Sequence, residues 1–596
     1  MKNTALVLLA LLGIASWYIF SLPRYQGIDL SVSQSRAIDI ARDFLSSRAV
    51  DNKGYKTAAV FSVDDDTDRF LQRTLGTRAS QQLVKDLDYP LFFWTVRFFK
   101  ERQKEEFRII ISSRTGQVVR FFHDIESTAA REVVGKDTAL RRGIDFLRSQ
   151  FGFDPSNYVF RGESVRKFEN RVDYIFTWEA RDVNVPWDGS EGGRLLTKVA
   201  VSGNDVLTFD KAKLDIPEGF RRYVSALKQT GENLVLVFHL FYMALLTIAI
   251  MMVVNRKQHT APRVVRPFYV GAGIAVFVLM LIEIANGYQY ILSDYPTTQS
   301  FADFALREVV KSVTGTFFVV LAFVLPALAG EALRFETAPQ RKNGGILSAA
   351  LSSFYSRPVA AQITAGYGIA AILLGAQALI FHLGYRYCGV WDELTWLQQS
   401  STTVVPAATA LLLALYASLS EETTFRLFAI NLFKSRGLAI GLAVFLSAVI
   451  WGFGHTGYEV YPMWFRGVEV TCLGVILGIA YLRFGLICAL VAHFLMDAVL
   501  LVLPYLLKPK VSFDFVSSLI VIALPLFFAA AAFALNRPST ERPWRPRFNR
   551  QQEFNYGLLR ELLGNKTPEQ RAALAKDLVH NGWDPAVVES VLKNDQ

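Results

Sequence analysis

The sequence predicts a polytopic α-helical membrane protein of about ten transmembrane helices, with an N-terminal α+β module of two repeats. Three observations carry this prediction. Of the 596 residues, 52 % are hydrophobic and only 19 % charged, against about 25 % charged in an average soluble chain. After Asn233 the chain becomes a train of apolar segments, each close to the roughly twenty residues that a helix needs to cross a bilayer. Before it, polar and apolar residues alternate and charges are frequent, the pattern of a water-soluble fold. Three cysteines in the whole chain, Cys388, Cys472 and Cys488, exclude a disulfide scaffold, and the apolar richness excludes disorder.

Residues 1–22 read as a transmembrane anchor. An apolar run follows Lys2, and Trp17, Tyr18 and Phe20 form an interfacial belt where a cleavable signal would carry small residues. The module then divides into repeats at 23–126 and 127–230. Ala37, Ala41, Phe44 and Leu45 share one helical face; Ala139, Gly143, Phe146 and Leu147 repeat that pattern later in the chain. After each helix comes an aromatic strand (91–99 and 174–178) and a hairpin. The hairpins turn at Thr115 and Gly116 and at Ser202, Gly203 and Asn204, between β-rich flanks such as 107–112 and 195–201. The Ala-rich helix and the Gly turn before the last strand resemble PepSY-like domains, which occur beside secreted and membrane peptidases.

Membrane helices are expected at 233–254, 267–286, 313–333 and 363–384 within a block at 231–403. A second block, 404–507, holds spans at 404–420, 437–454, 467–482 and 485–506, and 508–536 holds the last, at 513–535. The formal net charge of +10 sits in alternate loops, which orients a membrane protein and does not call for nucleic acid. Arg256, Lys257, Arg263 and Arg266 follow the first span; Arg334, Arg341, Lys342 and Arg357 flank the third; Lys434, Arg436 and Arg483 follow later ones. Arg537, Arg542, Arg545, Arg547 and Arg550 begin a tail at 537–596 that turns helical from 554 to 592. The positive-inside rule therefore places the basic loops and the tail in the cytoplasm and the module outside it; the expected location is a bacterial plasma membrane.

Ionisable groups inside a membrane span cost about 2.5–3.5 kcal/mol each on insertion scales and mark functional sites. An apolar helix from Val404 runs into Glu421, Glu422 and, four residues on, Arg426, then resumes up to Lys434. Glu422 and Arg426 share a helical face and neutralise each other. Glu421 points about 100° away and stays available, and two adjacent carboxylates in low dielectric resist joint ionisation, as a general base requires. Trp451 and His455 lie one turn apart in a following span, and so do His493 and Asp497 in a later one. Asp497 suits either a metal ligand or the group that fixes the tautomer of His493. At 1.5 Å per residue from the cytoplasmic flanks, Glu421 lies ~20 Å deep, Asp497 ~21 Å, His493 ~15 Å and His455 ~29 Å. His239 and His382 read as packing residues.

The ordered set Glu-Glu-x3-Arg, aromatic-x3-His and His-x3-Asp resembles the CAAX-protease and bacteriocin-processing (CPBP, Abi) family of intramembrane peptidases. The resemblance implies that Glu421 activates water, with Glu422 and Arg426 assisting. It implies that His455 and His493 bind a divalent metal such as zinc or hold the oxyanion, with Asp497 as their partner. Many members carry Asn at the last position, and Phe is common where Trp451 stands. The expected activity is an intramembrane endopeptidase acting on a peptide or protein substrate within the lipid bilayer. The alternatives are a non-catalytic scaffold or immunity-type protein of the same fold, and a proton-coupled transporter. The sequence has no His-Glu-x-x-His, no Gly-x-Ser-Gly, no Gly-x-Gly-Asp and no Gly-x4-Gly-Lys-Ser/Thr, so competing membrane proteases and an ATP-driven pump lack their motifs.

Overall fold

A computed structural model describes residues 2–25, 27–188, 190–255, 265–337, 354–392, 396–508, 511–537, 550–564 and 566–594. Arg256, Lys257, Arg263, Arg341, Lys342, Arg542, Arg545 and Arg547, on which part of the expected orientation rests, lie outside them. Helix α1 (Lys2–Phe20) leads into a sheet-rich domain. There α2 (Gln34–Ser47) precedes β1 (Lys56–Val63), helices α3 (Asp65–Leu75) and α4 (Thr77–Asp86), then β2 (Phe92–Phe99), β3 (Glu106–Ser112) and β4 (Val118–Asp124). Helix α5 (Lys136–Phe151) precedes β5 (Tyr158–Lys167), β6 (Val172–Trp187), β7 (Ser190–Ser202) and β8 (Asp205–Asp215).

These strands form one antiparallel sheet in the order β1-β2-β3-β4-β8-β7-β6-β5. Strands β4 and β8 meet at its centre, with Arg120 opposite Asp210 and Phe121 opposite Phe209. Ala37, Ala41, Phe44 and Leu45 of α2 and Ala139 and Leu147 of α5 are buried in one core with Phe121, Phe176 and Phe209. The turn between β3 and β4 passes through Gly116 at φ +74° and that between β7 and β8 through Gly203 at φ +57°, the left-handed backbone that glycine adopts without strain. Strands β1 and β5 and helices α3 and α4 were not read from the sequence.

Among the described residues, seven helices are long and apolar enough to cross a membrane. They are α6 (Glu218–Asn255), α7 (Val265–Asn286), α8 (Phe301–Thr337) and α9 (Arg357–Leu383), and, after α10 (Pro406–Glu421) and α11 (Ile440–Phe453), α12 (Trp464–Phe484), α13 (Leu486–Leu506) and α14 (Phe513–Leu535). The expected count of about ten included three shorter pieces. Thr4–Phe20 and Ile440–Phe453 are apolar but short, and α10 has 16 residues, the last of them Glu421. Helices α6 and α8 start well before the apolar stretches that announced them, because hydropathy marks the lipid-facing part of a helix and not its ends. Helix α1 lies along α9, where a Cβ on Gly375 would strike the backbone of Gly13. Ser16 donates to the Gly375 carbonyl at 2.9 Å, and Phe20 stacks on His382 at 4.3 Å between ring centres. The tail folds as three helices, α15 (Arg550–Gly564), α16 (Pro568–His580) and α17 (Pro585–Asn594), around a small core of their own.

Candidate active site

Helix α10 does not end at Glu421. The chain continues without a break as a π-helix over Glu422–Ala429 and then as α-helix over Ile430–Ser435. The sequence expectation of a helix through the acidic pair therefore holds in outline, but with the wider π spacing. A π segment loosens the regular carbonyl ladder, and lipid offers no water to satisfy the carbonyls. Hydroxyls do it here. Thr423 donates to Leu419 O at 2.7 Å and Thr424 to Ser420 O at 2.7 Å; from α11, Ser447 donates to Phe425 O at 2.6 Å.

Glu422 and Arg426 pair at 3.0 Å, both almost fully buried. The Arg426 guanidinium lies 4.1 Å from the centre of the Trp451 ring, so the indole face stabilises a charge whose terminal nitrogens have no aligned hydrogen-bond acceptor. Glu422 Oε1 also meets His493 Nδ1 at 2.8 Å, and the other ring nitrogen of His493 lies 3.3 Å from Asp497 Oδ2. The imidazole is thus held between two carboxylates from two helices.

Trp451 joins this buried row to a more open one. Its indole N–H donates to Glu421 Oε2, and its ring stands edge-on to both imidazoles, 5.3 Å from His455 and 5.6 Å from His493. Helix α11 ends at Phe453, which puts His455 in the turn beyond it. There Nδ1 bonds the Trp451 carbonyl at 2.7 Å. A carbonyl only accepts, so Nδ1 is the donor and Nε2 is left to face Glu421 Oε2, 3.8 Å away. A Cβ on Gly452 would strike Thr471, so this glycine lets α11 press against α12 at the level of the site. Exposure separates the two rows. Glu421, His455 and Asp497 are 27 %, 19 % and 31 % exposed, against 0 %, 2 % and 7 % for Glu422, Arg426 and His493.

All six candidate residues are therefore brought together, although they come from three separate stretches of chain. The three proposed as metal ligands do not share one point. Both nitrogens of His493 face carboxylates, the open Nε2 of His455 faces Glu421, and among the described residues no group of three or more His, Cys, Asp or Glu is arranged to hold an ion. The donor geometry does not fit a His455–His493–Asp497 metal centre.

Sequence reasoning missed a second polar group beside the site. Tyr458 stacks on His455 at 5.6 Å, and Arg466 lies 5.5 Å from the Tyr458 ring while pairing with Glu469 at 2.6 Å. Glu469 is buried and also accepts from Gln377 Nε2 at 3.0 Å. The signal was available, since Arg466 and Glu469 stand three residues apart at the head of an apolar span.

The turn that carries His455 is tied to the rest of the molecule. Glu459 pairs with Lys228 of α6, and Val460 and Tyr461 form a short ladder with Asp392 and Trp391. Tyr461 stacks on Trp391 at 4.0 Å, and Gln72 of α3 donates to Asp392 O at 3.0 Å. Trp391, Tyr461 and Met463 belong to the same hydrophobic core as the sheet domain.

Residues 403–499, which contain all six candidate residues, match the family described as Rce1-like, type II CAAX prenyl endopeptidase Rce1-like. The chain is also similar to the sporulation-killing factor biosynthesis protein SkfC of Bacillus subtilis (strain 168). The two are 22 % identical over 514 residues, which cover 83 % of this chain and 94 % of the relative. No solved structure matches the chain.

Proposed function

We propose, taking the Rce1-like match over residues 403–499 as premise, that this chain is an intramembrane endopeptidase in which Glu421 activates the attacking water. One observation carries the reading: Glu421 and His455 face each other at 3.8 Å, part-exposed, against a buried Glu422–Arg426–His493 backing. The indole N–H of Trp451 engages Oε2 of Glu421, and Oε1 takes a proton from water. The water oxygen bonds to the substrate carbonyl carbon, the C–N bond breaks, and Glu421 passes its proton to the departing nitrogen. His455 cannot turn away while its Nδ1 holds the Trp451 carbonyl. With Nε2 protonated, it donates to the oxyanion. His493 is a positioning residue that ties Glu422 to Asp497, and no step is assigned to a metal.

The substrate class is a peptide or protein met at the membrane, a reading supported by a relative named for biosynthesis of a killing factor. The sheet domain is extracytoplasmic and the three-helix tail cytoplasmic, on the strength of the basic loops. The domain's packing on the His455 turn makes it a fixed roof that limits which substrates reach the site. The test compares membrane-peptide termini, by mass spectrometry, in cells making the wild type or a folded Glu421→Gln variant. New termini should appear with the wild type and fall by about 10²–10⁴ in rate with the variant. Identical termini in both would leave the fold as a scaffold. Activity should survive metal chelation; a loss restored by zinc would return His455 and Asp497 to the role of ligands.

A further inference from the structure

Helix α15 has two apolar faces where a small helical unit needs one. On the first, Leu559 and Leu563 are buried against Ala575, Val588 and Val591. On the second, Phe554, Leu558 and Leu562 recur every fourth residue and are 64 %, 42 % and 48 % exposed. Gly557, beside them, has open space around it. The stripe is about 12 Å long at 1.5 Å per residue, a continuous apolar surface and not a scatter of single side chains.

Two further facts identify its occupant. Helix α14 ends at Leu535 and α15 begins at Arg550, so the connection reaches at most about 50 Å and keeps the tail beside the bilayer. In the sequence from 536 to 564, Arg537, Arg542, Arg545, Arg547, Arg550 and Arg560 outnumber Glu541, Glu553 and Glu561. The helix itself is neutral, and the surplus lies in the connection before it, where Arg537, Arg542, Arg545 and Arg547 face only Glu541; an apolar stripe tethered behind a basic segment matches the two requirements of interfacial binding, apolar burial and attraction to anionic lipid. We propose that α15 lies on the membrane surface, with Phe554, Leu558 and Leu562 in the headgroup–acyl boundary of an anionic leaflet.

The test uses the full chain in nanodiscs of phosphatidylcholine, with or without phosphatidylglycerol. A polarity-sensitive probe is placed at Gly557→Cys in a chain whose exposed Cys388 and Cys472 are changed to Ser. In the anionic discs the emission should shift to the blue, with lipid-borne doxyl quenching at least about twofold stronger than in zwitterionic discs. Iodide should be excluded. Added salt, or the triple change F554S/L558S/L562S, which spares the small core, should reverse both effects. Equal iodide quenching in both lipids would overturn the proposal by showing that the stripe faces water. Shielding from both quenchers in detergent and in both lipids would overturn it by showing that protein covers the stripe.

Discussion

Two residues of the same type, one position apart, are given different environments. Glu421 is part-exposed and takes an indole N–H, whereas Glu422 is buried and shared by Arg426 and His493. In the proposed mechanism this difference gives Glu421 the chemistry and Glu422 the support. Arg426 is the most exacting member, because removing one partner of a buried pair leaves the other charge without compensation. Arg426→Ala should therefore cost about 3 kcal/mol, read as a lower thermal midpoint of the solubilised chain. An unchanged midpoint with lost activity would instead move Arg426 among the reacting groups. The acidic pair and both i, i+4 partnerships were legible in the sequence, because adjacent charges in an apolar run have few structural explanations. That Trp451 would stand between the two imidazoles was not, because that depends on how α11 meets α13.

The element that decides the site is the π segment. Its width sets the phase between Glu421, which faces α11, and Arg426, which lies over Trp451. The hydroxyl of Ser447 helps hold that width by capturing the Phe425 carbonyl. Ser447→Ala leaves this buried acceptor without its donor and should destabilise by about 1–3 kcal/mol. Hydrogen exchange should rise over residues 422–429 more than in α12 or α13. Uniform exchange across all three would show that Ser447 packs without supporting the segment. Hydropathy foresaw a helix here and could not foresee its type, because Thr423, Thr424 and Ser447 act through backbone carbonyls whose positions only the folded helix fixes.

At the scale of the whole molecule, the sheet domain and the membrane helices share one hydrophobic core, and a titratable group sits at their junction. Asp65, at the start of α3, accepts from Gln398 at 3.1 Å through Oδ2, while its buried Oδ1 has no hydrogen-bond partner. Burial raises its carboxyl from the usual 3.8 to about 6, opposed by Arg69. A carboxyl raised in the folded state contributes stability that is present below its unfolded value and lost as pH rises through the folded one. Asp65→Asn should thus match the wild type near pH 4 and exceed its thermal midpoint by a few degrees above about pH 6. A gap that is constant across this range would separate Asp65 from the junction's pH response.

The sequence alone determined that this is a membrane protein with a strand-rich N-terminal part, and it singled out Glu421, Glu422, Arg426, His455, His493 and Asp497. Apolar runs and charges out of place in them are local properties, and a local pattern suffices to see them. The tertiary structure decided that the six residues form a buried row and a part-exposed row joined by Trp451. It also decided that Tyr458 and Arg466 adjoin the site and that the His455 turn is clamped by the sheet domain. Those facts arise from contacts between segments far apart in the chain, and such contacts are settled by packing, which no single stretch of residues encodes.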